Sequence, residues 1–112
     1  MKMKMVLVPI DEDAESRVEY NDQSEDDVIM VFFNDNDYNE LWKTRLYRDI
    51  NNKVGAGIDD SEDEIISGRE SLLKLHSILD KYDKKIDNPI IPTLKSLTAV
   101  AIRFNTSIHF YY

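Results

Sequence analysis

The sequence predicts an α+β fold, a small antiparallel sheet packed against two to three helices in a single domain. Two short runs, Met5–Val8 and Val28–Phe33, are rich in β-branched and apolar residues and too short for helices. Apolar residues at helical spacing follow, first from Tyr38 to Val54 and then from Leu72 to Tyr82. With 112 residues, 42% of them hydrophobic, the chain has length for one core and little for a second.

The first strand is expected from Lys2 to Val8, where Lys2, Lys4, Val6 and Val8 alternate with Met3, Met5 and Leu7. Pro9 ends it or places it at an edge. Arg17 to Tyr20 reads as a short second strand, with Asn21-Asp22 as a turn. Val28-Ile29-Met30-Val31-Phe32-Phe33 reads as a buried strand.

Asn34, Asp35, Asn36 and Asp37 are candidate helix N-caps, and Glu40 stands three residues after Asp37 in capping-box spacing. One helix is expected behind them, with Tyr38, Leu41, Trp42, Leu46, Ile50 and Val54 on its apolar stripe and Gly55 as its stop. A second helix is expected from Ser61 or Gly68 to Lys84, broken by Asp87-Asn88-Pro89. Pro92 suits a first helical position, so a third helix is expected to Arg103, although Val100–Phe104 alternates acceptably as a strand. Ser107 to Tyr112 reads as a terminal strand with Ile108, Phe110 and Tyr112 facing the core.

Fourteen Lys and Arg stand against twenty-two Asp and Glu, a net charge of −8. Such a balance argues against binding nucleic acid through its phosphates and against anionic membrane surfaces, and it favours a basic protein partner. The charge is unevenly placed. Asp11 to Glu40 carries twelve acids and one base, Arg17, and Asp59 to Glu70 carries six acids against Arg69. From Ser71 onward six bases outnumber three acids. The residues nominated for partner binding are therefore Asp11, Glu12, Asp13, Glu19, Tyr20, Asp22, Glu25, Asp26, Asp27, Asp35, Asp37, Asp59, Asp60, Glu62 and Asp63.

The chain has no cysteine, which tilts toward a reducing compartment and excludes a thiolate zinc site. The N-terminal apolar run is short and Asp11-Glu12-Asp13 follows it, unlike a signal peptide. No segment approaches the ~18 apolar residues of a membrane span. A cytoplasmic location is the expectation.

Nothing in the pattern resembles a catalytic constellation. There is no Gly-x-Ser-x-Gly elbow, and Gly55-x-Gly57 is too short for a phosphate loop. His76 and His109 have no Ser or Cys base-partner that spacing alone identifies. They read as structural or surface residues, and no cofactor is expected. Asp59 to Glu70, measured as a twelve-residue calcium loop, puts Asp59, Ser61, Asp63, Ser67 and Glu70 at ligand positions. Its sixth position is Glu64 where the turn requires Gly, and the competing reading is an acidic helix start. Asp35-Asn36-Asp37 begins in the same way but fails at its sixth and twelfth positions, Glu40 and Leu46. Tyr20, Tyr38 and Trp42 border the acidic segments as possible interface anchors, Tyr38 and Trp42 also lying on a core stripe.

With its two acidic runs and their bordering aromatics, the chain resembles the small bacterial toxin-immunity proteins, such as those of contact-dependent growth inhibition systems. The resemblance is one of size, charge and composition over the whole chain. It implies a tight, non-catalytic binder that neutralises a cognate basic toxin domain, such as a nuclease. Two other readings stand beside it: a DNA mimic that competes for nucleic-acid-binding proteins, and a small acidic calcium-sensing or regulatory module. The oligomeric state is left open.

Overall fold

The computed structural model describes residues 4–112, so Lys2 and Met3 of the expected first strand lie outside the described residues. It is an α+β arrangement: a four-stranded antiparallel sheet and five α-helices. Strand β1 (Lys4–Pro9) is central, flanked by β2 (Val28–Phe33) and β4 (Ser107–Tyr111), with β3 (Asp63–Ser67) outermost beside β4. Pro9 is the last residue of β1, where a missing N–H disrupts no ladder beyond it.

The register divides the side chains between two faces. Val6 lies opposite Val31 and Phe110, which lies opposite Glu64, and these residues share the front face with Val8, Ile66 and Ile108. Helices α2 (Asp35–Trp42), α3 (Leu46–Val54), α4 (Arg69–Asp83) and α5 (Ile90–Phe104) build one core cluster against that face. Ile108, Phe110 and Tyr112 enter the core, as the alternation predicts. The Tyr47 and Tyr112 hydroxyls meet there at 2.6 Å, both fully buried.

Helix α1 (Glu12–Glu19) replaces the short strand expected at Arg17–Tyr20. Asp11 caps it by accepting from the Ala14 N–H, and Glu12, Asp13 and Glu15 sit at the positive end of its dipole. Ala14 and Val18, four residues apart, give it one apolar face, and Asn21 leaves it in the left-handed region (φ +56°).

The single helix expected from Tyr38 to Val54 is two helices. Thr44 interrupts it: its hydroxyl donates to the Leu41 carbonyl and accepts from the Leu46 N–H, replacing the helical ladder for one turn. Asn34 is the cap actually used, accepting from the Asp37 N–H, and Gly55 stops α3 with φ +76°. Of the two starts expected for the next helix, Gly68 holds, and Ser61, with the acidic helix start after Asp59, does not. Asp63–Ser67 pairs with β4 as an edge strand, with Ile66 inward and Ile65 outward, and α4 begins only after Gly68. The third expected helix is present as α5, beginning at Ile90, so Pro92 falls third, still within the turn whose N–H groups lack helical acceptors. Buried Asn88 fixes that start by accepting from the Ile90 N–H and donating to the Asp37 carbonyl. Lys95 ties α5 to α4 through Asp80 at 2.7 Å.

Candidate protein-binding surface

The back face of the sheet is only half covered. Its rows follow from the register: Phe32, Met5, Tyr111 and Asp63 stand side by side across all four strands. Met30, Leu7, His109 and Ile65 form the next row. Helix α1 crosses the end near Pro9, where Ala14, Val18 and Leu7 are buried apart from the main core. Toward Lys4 nothing among the described residues covers the sheet. Phe32 is 51% exposed, Ile65 53% and Met30 41%, with Met5 and Tyr111 half-buried between them. A contiguous exposed apolar strip of this kind marks a contact surface more often than scattered single residues do.

Two links fasten α1 in place. Arg17 grips Asp27, through Nε to Oδ2 at 2.9 Å and Nη2 to Oδ1 at 2.7 Å, and Asp27 also accepts from the Ser24 N–H. The Arg17 guanidinium and these hydrogen bonds hold the Asp27 carboxyl down at about 2. On the other side, the Ser107 hydroxyl donates to Glu15 at 2.6 Å and lies 2.7 Å from His109 Nε2. An ionised carboxylate only accepts, so the hydroxyl proton goes to Glu15 and Ser107 Oγ accepts from His109 Nε2–H. That tautomer leaves Nδ1 bare, and it has no partner among the described residues. Burial lowers the imidazole pKa, since a second proton there would be desolvated and unmatched.

The Ser107–His109 pair escaped notice in the sequence, where their spacing of two on a strand was the available signal. The trio differs from a nucleophile-base-acid relay, because acid and imidazole both bind the hydroxyl and neither orients the other. Its Ser107–Glu15 bond joins α1 to β4, and the Ser107–His109 bond lies within β4.

Of the fifteen nominated residues, thirteen are exposed, Asp37 is half-buried and Asp27 is buried. Asp27 is therefore a structural partner of Arg17 and offers little to a second molecule. Asp11, Glu12, Asp13 and Glu19 make α1 an acidic ridge beside the apolar strip, and Tyr20, 78% exposed, stands at its end. Asp22, Glu25 and Asp26 continue the ridge to the start of β2. Asp35, Asp37, Asp59, Asp60, Glu62 and Asp63 gather at the opposite, Lys4 end of the sheet, where Lys4 Nζ donates to the Asp60 carbonyl at 3.2 Å. Asp63 apart, Asp27 alone of the nominated acids is in an ion pair among the described residues.

Tyr38 and Trp42 belong to the core: the Tyr38 ring lies 4.9 Å from Tyr112, and Trp42 lies 4.4 Å from Tyr47. The oxygens of the Asp59–Glu70 segment are divided among a turn, strand β3 and the start of α4 instead of gathered around one point. Asp59 turns back on Ser61, and Glu64 accepts from the Gly57 N–H. Among the described residues no three His, Asp or Glu side chains are placed to share a metal ion. Among the described residues no helix is long and apolar enough to cross a membrane. Comparison of the chain with protein-family models, with curated proteins and with solved structures returned no match.

Proposed function

We propose that the protein is a non-catalytic inhibitor of the immunity type, which binds a basic partner, a toxin nuclease domain, and neutralises it through an acidic surface. The observation that carries this reading is an open apolar strip on the back face of the sheet with two acidic banks, the ridge of α1 beside it and further acids at its Lys4 end. Protein interfaces combine a desolvated apolar centre with a polar rim in this way. Among the described residues Arg17 is paired with Asp27 and Lys4 donates to the Asp60 backbone carbonyl, so acids outnumber bases in both banks and the net field stays negative. A field of that sign speeds encounter with a basic protein and repels nucleic acid.

The strip also weighs between this reading and the DNA mimic. A mimic of phosphate spacing needs carboxylates in series and gains nothing from exposed Phe32, Met30 and Ile65. Affinity capture from lysate of the source cell, at low and at moderate salt, tests the proposal. One basic polypeptide retained near one-to-one supports it. A broad set of nucleic-acid-binding proteins that salt removes favours the mimic, and an empty column at both salts sinks the inhibitor reading.

A further inference from the structure

The outer edge of β2 has the features of a docking track. Its inner edge pairs with β1 along all six residues, and among the described residues no strand lies on the other side. Alternate N–H and C=O groups of Val28–Phe33 therefore face outward, over about 20 Å. Sheet edges are normally blunted by charge, proline or a polar sequence. The opposite edge strand follows that habit, with Asp63, Glu64 and Ser67 among its five residues. Strand β2, Val-Ile-Met-Val-Phe-Phe, does not.

Both flanks of this edge hold apolar contacts for an added strand. On the back face Met30 and Phe32 stand exposed at the end of their rows, open to a neighbour on the next strand. On the front face Val31 and Phe33 line an open cleft of about 140 Å³, shared with Asn34, Asp37 and, at the start of α5, Pro89, Ile90 and Thr93. Acids bracket the track, Glu25 and Asp26 before β2, Asp35 and Asp37 after it.

Those brackets decide the occupant. A second copy laid antiparallel would bring Glu25 and Asp26 of one chain against Asp35 and Asp37 of the other, between molecules each carrying −8. A strand with bases at both ends meets opposite charge at both ends. We infer that the outer edge of β2 takes an extended segment of the basic partner as a fifth strand, apolar in alternation and flanked at each end by Lys or Arg. This rests on the inhibitor reading and names the element through which it acts.

Three synthetic peptides test it on the full chain labelled with ¹⁵N. They share a core of alternating Thr, Val and Phe as long as β2. The first has two lysines at each end, the second two glutamates, and the third has the lysines with alternate core nitrogens methylated. Titration of the first to about 1 mM is expected to shift the β2 amides and to slow their exchange about tenfold, a gain of roughly 1.4 kcal/mol in protection. The other two peptides are expected to leave β2 unchanged.

Equal binding of the glutamate peptide overturns the charge argument, and equal binding of the methylated peptide overturns main-chain pairing. Protection of β2 in the unliganded chain, with sedimentation as a dimer, makes the occupant a second copy. If the lysine peptide leaves β2 unmoved while capture still retains a basic protein, the edge assignment falls and the inhibitor reading stands. If the lysine peptide pairs with β2 while capture retains nothing, the reverse holds.

Discussion

Arg17 and Asp27 join α1 to the entrance of β2 through a two-point contact, one guanidinium edge against both carboxylate oxygens. Because Arg17 draws the folded Asp27 pKa down from its ordinary 3.8 to about 2, the unfolded chain binds the proton first on acidification. The contact therefore contributes stability that is complete above about pH 4 and is lost as pH falls toward 2. Urea midpoints measured across that window should fall for the native chain, and Asp27→Asn should remove part of the slope. A midpoint profile unchanged by the substitution would show that Asp27 titrates alike in both states.

His109 makes a separate prediction at milder pH. Its pKa lies below the ordinary 6.5 because the ring is only 3% exposed and its Nδ1 has no acceptor waiting. The unfolded chain again takes the proton first, so stability is whole above about 6.5 and declines as pH falls below it. Nitrogen chemical shifts should report a neutral Nε2–H tautomer at pH 7. His109→Gln, which keeps a donor for Ser107, should flatten the dependence between pH 7 and 5. A doubly protonated ring at pH 7 would contradict the assignment.

How much of this was readable beforehand depended on how many side chains each element commits to the core. Helix α4 buries a regular stripe and strand β4 turns Ile108 and Phe110 to the core, and that periodicity is what makes both legible. Strand β3 buries only Ile66, so its acids read as a helix start. Helix α1 has just Ala14 and Val18 inward, and its cap at Asp11 was the better signal than the apparent alternation at Arg17–Tyr20. The break at Thr44 depends on one hydroxyl choosing local backbone partners, which apolar spacing does not register. For the candidate surface, charge located the acidic banks but gave no hint of the apolar strip. A continuous run such as Val28–Phe33 reads as buried on both faces, and only the strand order reveals that it lies at an edge with Phe32 uncovered.

The buried Tyr47–Tyr112 hydroxyl pair is open to a double-mutant cycle. Removing either hydroxyl leaves the other buried and unsatisfied, so Tyr47→Phe and Tyr112→Phe should each cost about 1–3 kcal/mol. The double variant restores an all-apolar contact and should cost clearly less than the sum of the singles. Urea unfolding with an unchanged m-value measures all three. Strict additivity would mean that the two hydroxyls are not coupled.

The acidic banks predict a kinetic signature for the proposed complex. Glu12, Asp13 and Glu19 are exposed on α1, and of the three only their charge, not a described contact, recommends them to a partner. Rim charges act chiefly during approach, so Glu12→Gln with Asp13→Asn should slow association about two- to tenfold and change dissociation much less. The same double change should lower the salt sensitivity of association, since at 0.15 M ionic strength exposed charges are screened over ~8 Å. Phe32→Ser on the apolar strip should do the opposite, speeding dissociation with little effect on approach, because its loss is felt only after water has been expelled. Rate constants for the captured partner, measured against immobilised native and variant chains at several salt concentrations, separate the two behaviours. If both variants act on dissociation alone, the acids are contacts and not a steering field; if neither moves any rate, the partner binds elsewhere and the banks serve solubility.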